Sequence, residues 1–365
     1  MEPSKNERTY NLNTLYFYLT EGCNLRCRHC WIAPKYEEGE KKYTSLNLDT
    51  FKHIIKQAKP LGLRSVKLTG GEPLIHPEID KIINHIKEQD LGFTMETNGV
   101  SVTEPLAKKI RQLKRPFVSV SLDGAKAETN EWVRGVKGCF DKSVEGIKIL
   151  VKENLNPQII MSIMEHNKHE IEDLVSFAAD LKASSVKFNI VQPTERGKAM
   201  HEQGQTLGIE KLIEIGKWVE QDLAKKYQMR LHYSHPMAFK SLSAMFGDRS
   251  TGTGICGIFG ILGVLSNGLY ALCGIGESIP ELVFGDANKD ELEKVWKESK
   301  MLNEIRDNLP KNLEGVCADC LMKNMCLGSC IAQNYYKEKN LMAPFWFCSE
   351  AREKGLFPKT RLAQT

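Results

Sequence analysis

The chain has 365 residues, of which 41% are hydrophobic and 26% are charged. A chain of this length and composition can bury a large core, which excludes the disordered and fibrous classes. The 50 Lys and Arg residues against 46 Asp and Glu residues leave a net charge of only +4, and the basic residues are scattered. We therefore expect no nucleic-acid-binding groove.

The chain contains 11 cysteines, which is a high number for a cytosolic enzyme. Residues 1–8 contain no apolar segment of a secretory signal, and no run of about 18 apolar residues predicts a membrane span. We therefore expect a cytoplasmic protein with no membrane partner. In a reducing compartment, many cysteines indicate bound metal rather than disulfides.

Hydrophobic patterns predict six strands that alternate with helices over the first 190 residues. The strands are predicted at 15–20, 65–68, 92–96, 117–122, 158–164 and 185–190, with a helix between each pair. Because parallel neighbours need a crossover, this order predicts an α/β fold with a parallel sheet. Six such units are fewer than the eight of a closed (β/α)8 barrel.

The first predicted strand leads into a loop that carries Cys23, Cys27 and Cys30 in the spacing C-x3-C-x2-C. Such a loop can present three thiolates to a 4Fe-4S cluster, which leaves one iron open. A zinc site is the alternative, but it needs four protein ligands, and the nearest further candidate is His29. We therefore favour the iron-sulfur cluster.

Further polar residues follow the predicted strands, at the ends where a parallel barrel places its site. They are Gly70, Gly71, Glu72 and Pro73 after the second strand, Asn98 after the third, and Ser121 and Asp123 at the end of the fourth. Two glycines let the backbone approach a ligand closely, and a carboxylate beside them can accept hydrogen bonds from an ammonium group. The amide, hydroxyl and carboxylate groups of the later strands suit ribose hydroxyls. Taken singly, each segment is also typical of an ordinary turn.

Together, the cysteine loop and the segment from Gly70 to Pro73 resemble the motifs of the radical S-adenosylmethionine (SAM) superfamily. The resemblance implies a partial (β/α)6 barrel over residues 1–200 in which the open iron binds SAM and SAM is split to a 5′-deoxyadenosyl radical. It places Glu72 near the methionine amino group, and Ser121 and Asp123 near the ribose. Arg134 would pair with the methionine carboxylate, although a solvated arginine is the alternative.

A second block of cysteines follows a predicted bridging region at 201–255. Asn267 and Gly268 between two apolar runs predict a hairpin that can return Cys273 towards Cys256. The remaining members of the block are Cys317, Cys320, Cys326, Cys330 and Cys348. Seven cysteines are too many for one tetrahedral metal and nearly enough for two cubic clusters, and a double zinc site is the alternative. Cys139, outside both blocks, is predicted to be a small buried residue.

The spacing of the second block resembles the SPASM extension of peptide-modifying radical SAM enzymes. The resemblance implies a small cysteine-rich domain at 256–350, a C-terminal tail at 351–365, and three 4Fe-4S clusters, of which one binds SAM and two are auxiliary. One auxiliary cluster would be held by Cys317, Cys320, Cys326 and Cys348, and the other by Cys256, Cys273 and Cys330. The second set lacks a fourth cysteine, so its last iron must take another protein ligand, solvent or substrate. Our hypothesis is a substrate thiolate, which a soft metal prefers.

The resemblance implies an oxidoreductase that abstracts hydrogen from a ribosomally made precursor peptide with a leader. We expect a side-chain crosslink, and first of all a Cys thioether. Two alternatives keep the fold: formylglycine formation, as in anaerobic sulfatase maturases, and oxidation of a small molecule such as a tetrapyrrole. A non-enzymatic electron carrier or a zinc-bound interaction module would require the match at Gly70 to Pro73 to be accidental.

Two partners are expected besides the substrate. The first is an electron donor of the flavodoxin or ferredoxin type. Only about 14 residues precede the first predicted strand, which leaves no room for a fused leader-recognition module. We therefore expect the leader to be read by the barrel and extension themselves or by a separate leader-recognition protein.

Overall fold

A ten-stranded sheet runs through the computed structural model, which describes residues 10–36, 43–247 and 256–363. The strands are β1 Thr14–Tyr18, β2 Ser65–Thr69, β3 Gly92–Thr97, β4 Lys114–Ser121, β5 Gln158–Ile163, β6 Ser185–Ile190, β7 Arg230–Tyr233, β8 Ile261–Val264, β9 Leu269–Ala271 and β10 Val283–Asp286. Their order across the sheet is β10-β9-β8-β1-β2-β3-β4-β5-β6-β7. Neighbours from β8 through β1 to β7 are parallel, whereas β8, β9 and β10 are antiparallel. The α/β class and the six predicted strands are confirmed, in a sheet wider than predicted.

Helices connect the parallel strands and pack their apolar faces against the sheet. Along the barrel they are α1 Leu48–Ala58, α2 Ile79–Glu88, α3 Glu104–Arg111, α4 Ala127–Arg134, α5 Cys139–Lys152, α6 Ile171–Asp180, α7 Glu195–Glu202 and α8 Ile209–Trp218, the last continued by a π-helix at Val219–Leu223 and by α9 Ala224–Lys226. Towards the C-terminus they are α10 Leu242–Phe246, α11 Leu292–Glu298, α12 Lys300–Asn308, α13 Gly315–Asp319, α14 Lys323–Cys326, α15 Ile331–Glu338 and α16 Trp346–Glu353. Among the described residues, no helix combines the length and the hydropathy that a membrane span requires.

The parallel strands present one apolar face and one polar face, because successive side chains of a strand point to opposite sides. The apolar face is fully buried in the core that the helices share, as at Val66, Met95 and Val120. The opposite face lines the interior of the open barrel, which we call the lumen. Its polar residues include Tyr16, Lys67, Glu96, Ser119, Gln158, Ser162, Lys187 and Asn189. The barrel therefore has an apolar outer core and a polar lumen.

The sheet crosses the domain boundaries that the sequence predicts. Strand β7 belongs to the predicted bridging region 201–255, yet it pairs in parallel with β6. The hairpin β8–β9, with Gly268 at φ +86° in its turn, confirms the Asn-Gly signal, and β8 continues the barrel sheet beside β1. Residues 248–255 of the bridging region lie outside the described ranges. The division at 200, 255 and 350 stays a prediction.

Candidate functional site

A cavity lies at the carboxyl ends of β1 to β6, where the sequence places the site. Its walls include nine of the predicted site residues: Cys23, Cys27, Cys30, Gly70, Gly71, Glu72, Asn98, Ser121 and Arg134. Pro73 and Asp123 are buried nearby but do not line it. The sheet thus brings the cysteine loop and most of the predicted SAM contacts together around one space.

The segment Gly70–Gly71 is packed against the cysteine loop. The amide of Gly71 donates to the carbonyl oxygen of Thr20 (2.9 Å), and the amide of Glu72 donates to that of Gly22 (2.9 Å). A Cβ atom on Gly71 would lie only 1.8 Å from the Gly22 oxygen, and Gly70 has φ +129°. The sequence suggested glycines that admit a ligand. The structure shows that they admit the backbone of the cysteine loop.

The carboxylate of Glu72 is 1% exposed and accepts three hydrogen bonds from the protein. The donors are the amide of Leu74 (3.1 Å), the hydroxyl of Thr97 (2.6 Å) and the amide of Asn98 (2.8 Å). Burial raises the pKa of Glu72 to about 7, against the opposing effect of these donors. Because a carboxylate offers about four acceptor positions, one remains for a ligand. Glu72 therefore fixes the end of β3 as well as lining the cavity.

Asn98 connects the end of β3 to the cysteine loop. Its side-chain Nδ2 donates to Oδ1 of Asn24 (2.6 Å), and its Oδ1 accepts from the amide of Val100 (3.0 Å). The hydroxyl of Ser143 in α5 donates to the Asn98 carbonyl oxygen (2.8 Å). These bonds use most of the polar groups of Asn98 within the protein. The contact to ribose that its amide suggested stays a prediction.

Arg134 and Asp123 form a buried ion pair behind the cysteine loop. Nε of Arg134 lies 2.8 Å from Oδ2 of Asp123, and its Nη1 donates to Sγ of Cys27 (3.5 Å). Oδ1 of Asp123 accepts from the amide of Ser162 (2.7 Å). Burial lowers the pKa of Arg134, but the negative charges of Asp123 and Cys27 outweigh it and raise the pKa. The arginine is thus not the solvated residue of the alternative hypothesis, and Asp123 faces it rather than the cavity.

His29, the fourth zinc ligand that the zinc alternative requires, is turned towards Asp123. Its Nε2 lies 4.0 Å from Oδ2 of Asp123, and burial lowers the pKa of the imidazole to about 4. In the described ranges, no three His, Cys, Asp or Glu side chains are grouped as the ligands of a single metal ion are. A cluster binds each thiolate to a different iron, so its ligands stand further apart than those of one zinc ion.

The three cysteines of the loop suit an iron-sulfur cluster by their placement and by their surroundings. All three line the same cavity, and Arg134 supplies a cationic donor to Cys27. Burial raises the pKa of Cys23 and raises that of Cys30 to about 11, so these thiols stay protonated until a metal displaces the protons. The residues present therefore fit the cluster that the motif predicts.

The second block of cysteines divides into two groups in the structure. Cys317, Cys320, Cys326 and Cys348 line one cavity, and Cys256, Cys273 and Cys330 line another. This is the division that the SPASM resemblance implies, although cluster binding itself stays a prediction. Apart from the thiols, Ser329 is the one polar side chain among the described residues that line the second cavity. Cys139 is 2% exposed and belongs to neither group, as predicted.

The sequence did not identify Arg196 as part of the site. Its guanidinium donates to the carbonyl oxygens of Cys27 (3.2 Å) and Pro34 (2.8 Å), so that it links the middle of the cysteine loop to the segment that follows it. Arg196 lies in α7, directly after β6. Its position after a predicted barrel strand was the available signal, but nothing in the local pattern separates it from a surface arginine.

Comparisons with known proteins match both regions of the chain. Residues 17–178 match the model of the Radical SAM superfamily, and residues 256–321 match the SPASM model, an iron-sulfur cluster-binding domain. The AdoMet-dependent heme synthase of Methanosarcina barkeri is 29% identical over 87% of this chain and 90% of its own length. The mycofactocin maturase MftC of Mycolicibacterium smegmatis is 25% identical over 95% of this chain and 85% of its own.

A solved structure has the same fold. The crystal structure of Streptococcus suis SuiB bound to its precursor peptide SuiA superposes with a TM-score of 0.69 at 18% identity. The alignment covers 93% of this chain and 76% of SuiB. At this level of identity the likeness concerns the fold alone.

Proposed function

Because the chain belongs to the radical SAM superfamily and carries a SPASM domain, we propose that it is a maturase of ribosomally made precursor peptides. The observation that carries the proposal is the position of the extension. Cys273 lies two residues after β9, which pairs with β8 next to β1, so the group of Cys256, Cys273 and Cys330 lies at the part of the sheet that continues the barrel. Similarity to the mycofactocin maturase over nearly the whole chain supports a peptide as the substrate.

When the cluster and SAM are bound, they supply a carbon radical that can remove a hydrogen atom from a substrate C–H bond. The residues of this chain position the reactants. The free acceptor position of Glu72 receives the methionine ammonium, and Arg134 holds a carboxylate beside Cys27. Ser121 lies on the cavity wall, and its hydroxyl would offer a hydrogen bond to the ribose. Asp123 acts through Arg134, which it orients.

The auxiliary sites suit the removal of the second electron. We assign one 4Fe-4S cluster to each cysteine group, which gives three clusters with that of the SAM site. At Cys256, Cys273 and Cys330 the remaining walls are mostly apolar, so one iron has no evident fourth side-chain ligand among the described residues. A substrate thiolate at that iron would be placed for sulfur-to-carbon bond formation. A Cys thioether is therefore the product that we propose.

The reaction also needs partners outside the chain. We propose a flavodoxin- or ferredoxin-type electron donor and a cytoplasmic setting, in which the buried thiols stay reduced. The leader of the precursor peptide is bound by the barrel and extension or by a separate leader-recognition protein. A pull-down of the precursor with and without its leader measures this contribution.

A second function is favoured by one specific observation. The heme synthase of M. barkeri is similar to this chain over 90% of its own length, which includes both the barrel and the extension. The second candidate substrate is therefore a tetrapyrrole whose side chain is oxidised in the same cavity. Both candidates use the same radical and the same residues around it, and they differ only in the molecule that fills the lumen.

Anaerobic reconstitution followed by mass spectrometry distinguishes the two functions. The holoenzyme is given reductant and SAM with either a Cys-containing precursor peptide or a propionate-bearing porphyrin, and 5′-deoxyadenosine is measured alongside substrate mass. Loss of two hydrogens from the peptide, with its thiol no longer open to alkylation, is the expected result. Modification of the porphyrin alone would establish the second function. SAM cleavage with both substrates unchanged would refute both.

A further inference from the structure

The lumen below the SAM cavity contains two lysines with different surroundings. Lys67 in β2 is compensated, because its Nζ lies 2.7 Å from Oε1 of Glu96 and 4.9 Å from the centre of the Tyr16 ring. Lys187 in β6 is half-buried on the same face of the sheet. Among the described residues, Lys187 has no carboxylate oxygen within the 4.0 Å of an ion pair.

The other charges near Lys187 do not compensate it. Burial lowers its pKa, Glu96 opposes this effect, and the positive charges of Lys67 and Lys240 lower the pKa further. Glu96 is already paired with Lys67, and Lys240 lies 3.9 Å from Glu220. One net positive charge therefore remains in the lumen. A partly buried charge is costly without a partner, so an anion in the working state would remove the cost.

Lys187 lies directly under the cavity in which the radical is formed. It pairs in register with Ile160, which lines that cavity, and Asn189, two residues further along the same face of β6, lines it too. Two residues of a strand span about 6.6 Å, so the lysine begins one layer below the cavity floor. The ammonium group of Lys187 can therefore contact a substrate that extends from the cavity into the lumen.

We propose that the substrate of this site carries a carboxylate group that binds the ammonium group of Lys187. The inference rests on the proposed function, because it specifies the chemistry of the substrate in the same cavity. The lysine and the carboxylate form a charge-assisted hydrogen bond, which fixes one end of the substrate while its C–H bond faces the cavity. Such a carboxylate belongs either to an acidic side chain of a peptide or to a propionate of a tetrapyrrole.

Anaerobic equilibrium binding to the SAM-loaded holoenzyme tests the proposal without turnover. The probes are two matched pairs: deuteroporphyrin IX with its dimethyl ester, and a labelled Cys-containing peptide that carries either Glu or Gln. We expect the wild-type protein to bind the acid of one pair at least about 10-fold more tightly than its neutral counterpart, as a charged hydrogen bond provides. The pair that shows the preference identifies the source of the carboxylate.

Lys187→Met should reduce that preference to near unity, and Lys187→Arg should retain most of it. Lys81→Met is the matched control, because it removes a lysine that is paired with Glu78 (3.0 Å) on the outer helix α2. A preference that persists in Lys187→Met, or a wild-type protein that prefers neither acid, would overturn the proposal. The wild-type comparison needs no variant, so it tests the proposal even if the Lys187→Met protein misfolds.

The proposal and the proposed function fail in different ways. Equal turnover of a peptide with Glu and of its Gln counterpart, in the wild type and in Lys187→Met, would support a maturase and refute the carboxylate site. A carboxylate preference in binding, with neither substrate class converted, would uphold the site and refute the function. The two results come from separate measurements on the same protein.

Discussion

Replacement of Gly71 by alanine should detach the cysteine loop from the barrel. The new Cβ would lie 1.8 Å from the oxygen of Gly22, whereas ordinary contact begins near 3.4 Å, so the loop must move by about 1.6 Å. Such a shift breaks the hydrogen bonds from Gly71 to Thr20 and from Glu72 to Gly22. At about 1 kcal/mol each, the loss is about 2 kcal/mol, or roughly 2–3 °C in the melting temperature of a chain of this size.

The stronger effect of Gly71→Ala is expected on metal content, because the displaced loop carries Cys23, Cys27 and Cys30. Reconstituted Gly71→Ala should hold about four fewer iron atoms per chain than the wild type, measured by iron analysis, and should not bind SAM. Gly208→Ala is the control, since Gly208 has φ −69° and its added Cβ would meet only Oε2 of Glu210, at 3.5 Å. Full iron content and unchanged melting of Gly71→Ala would refute the reasoning.

Three further predictions concern buried groups. Burial raises the pKa of Glu72 from 4.5 to about 7, so the free energy of unfolding of the wild type should fall as pH rises through that range. The cluster-free Glu72→Gln variant lacks this carboxyl and should lose less unfolding free energy between pH 4.5 and 7 in urea titrations. Parallel pH dependences of the two proteins would contradict this. Asp123→Asn leaves Arg134 as an uncompensated buried cation and should cost about 3–5 kcal/mol of unfolding free energy, whereas a loss under about 1 kcal/mol would show that the pair is dispensable. Cys330→Ala should lose about four iron atoms per chain and Cys139→Ala none, and equal iron contents would reject the assignment of the cysteine groups.

The cysteine positions and the six barrel strands could be predicted because each depends on a short segment of sequence. The C-x3-C-x2-C spacing places Cys23, Cys27 and Cys30 on one loop whatever the rest of the chain does, and this loop lines the cavity as expected. The Asn-Gly signal likewise predicted the hairpin β8–β9 from adjacent residues. Local spacing therefore determined the positions of the thiols.

Roles that depend on contacts across the sheet could not be predicted in the same way. The resemblance implies that Asp123 lies near the ribose, which stays a prediction, and the structure adds an ion pair with Arg134 at the end of the following helix. Gly71 was predicted to let the backbone approach a ligand. The atom nearest to a Cβ at this position is the carbonyl oxygen of Gly22, almost fifty positions earlier. The first contact joins the end of β4 to the last turn of the helix α4 that follows it, and the second joins the loops after the paired strands β1 and β2, so both depend on packing rather than on local spacing.

The pairing of β8 with β1 joins the cysteine-rich extension to the barrel in one sheet. Since β8 pairs with β1, residue Gly263 lies opposite Tyr16, and Cys273, two residues after β9, lies next to Gly263. Tyr16 lies beside Lys67, whose Nζ is 4.9 Å from the centre of its ring. Burial raises the pKa of Tyr16, the charge of Lys67 opposes this effect, and the charge of Cys256 adds to it. A slip of two residues in this pairing would move the cysteine group by about 6.6 Å relative to the cavity. The register of one parallel strand pair therefore sets the distance between the cavity of the cysteine loop and the group of Cys256, Cys273 and Cys330.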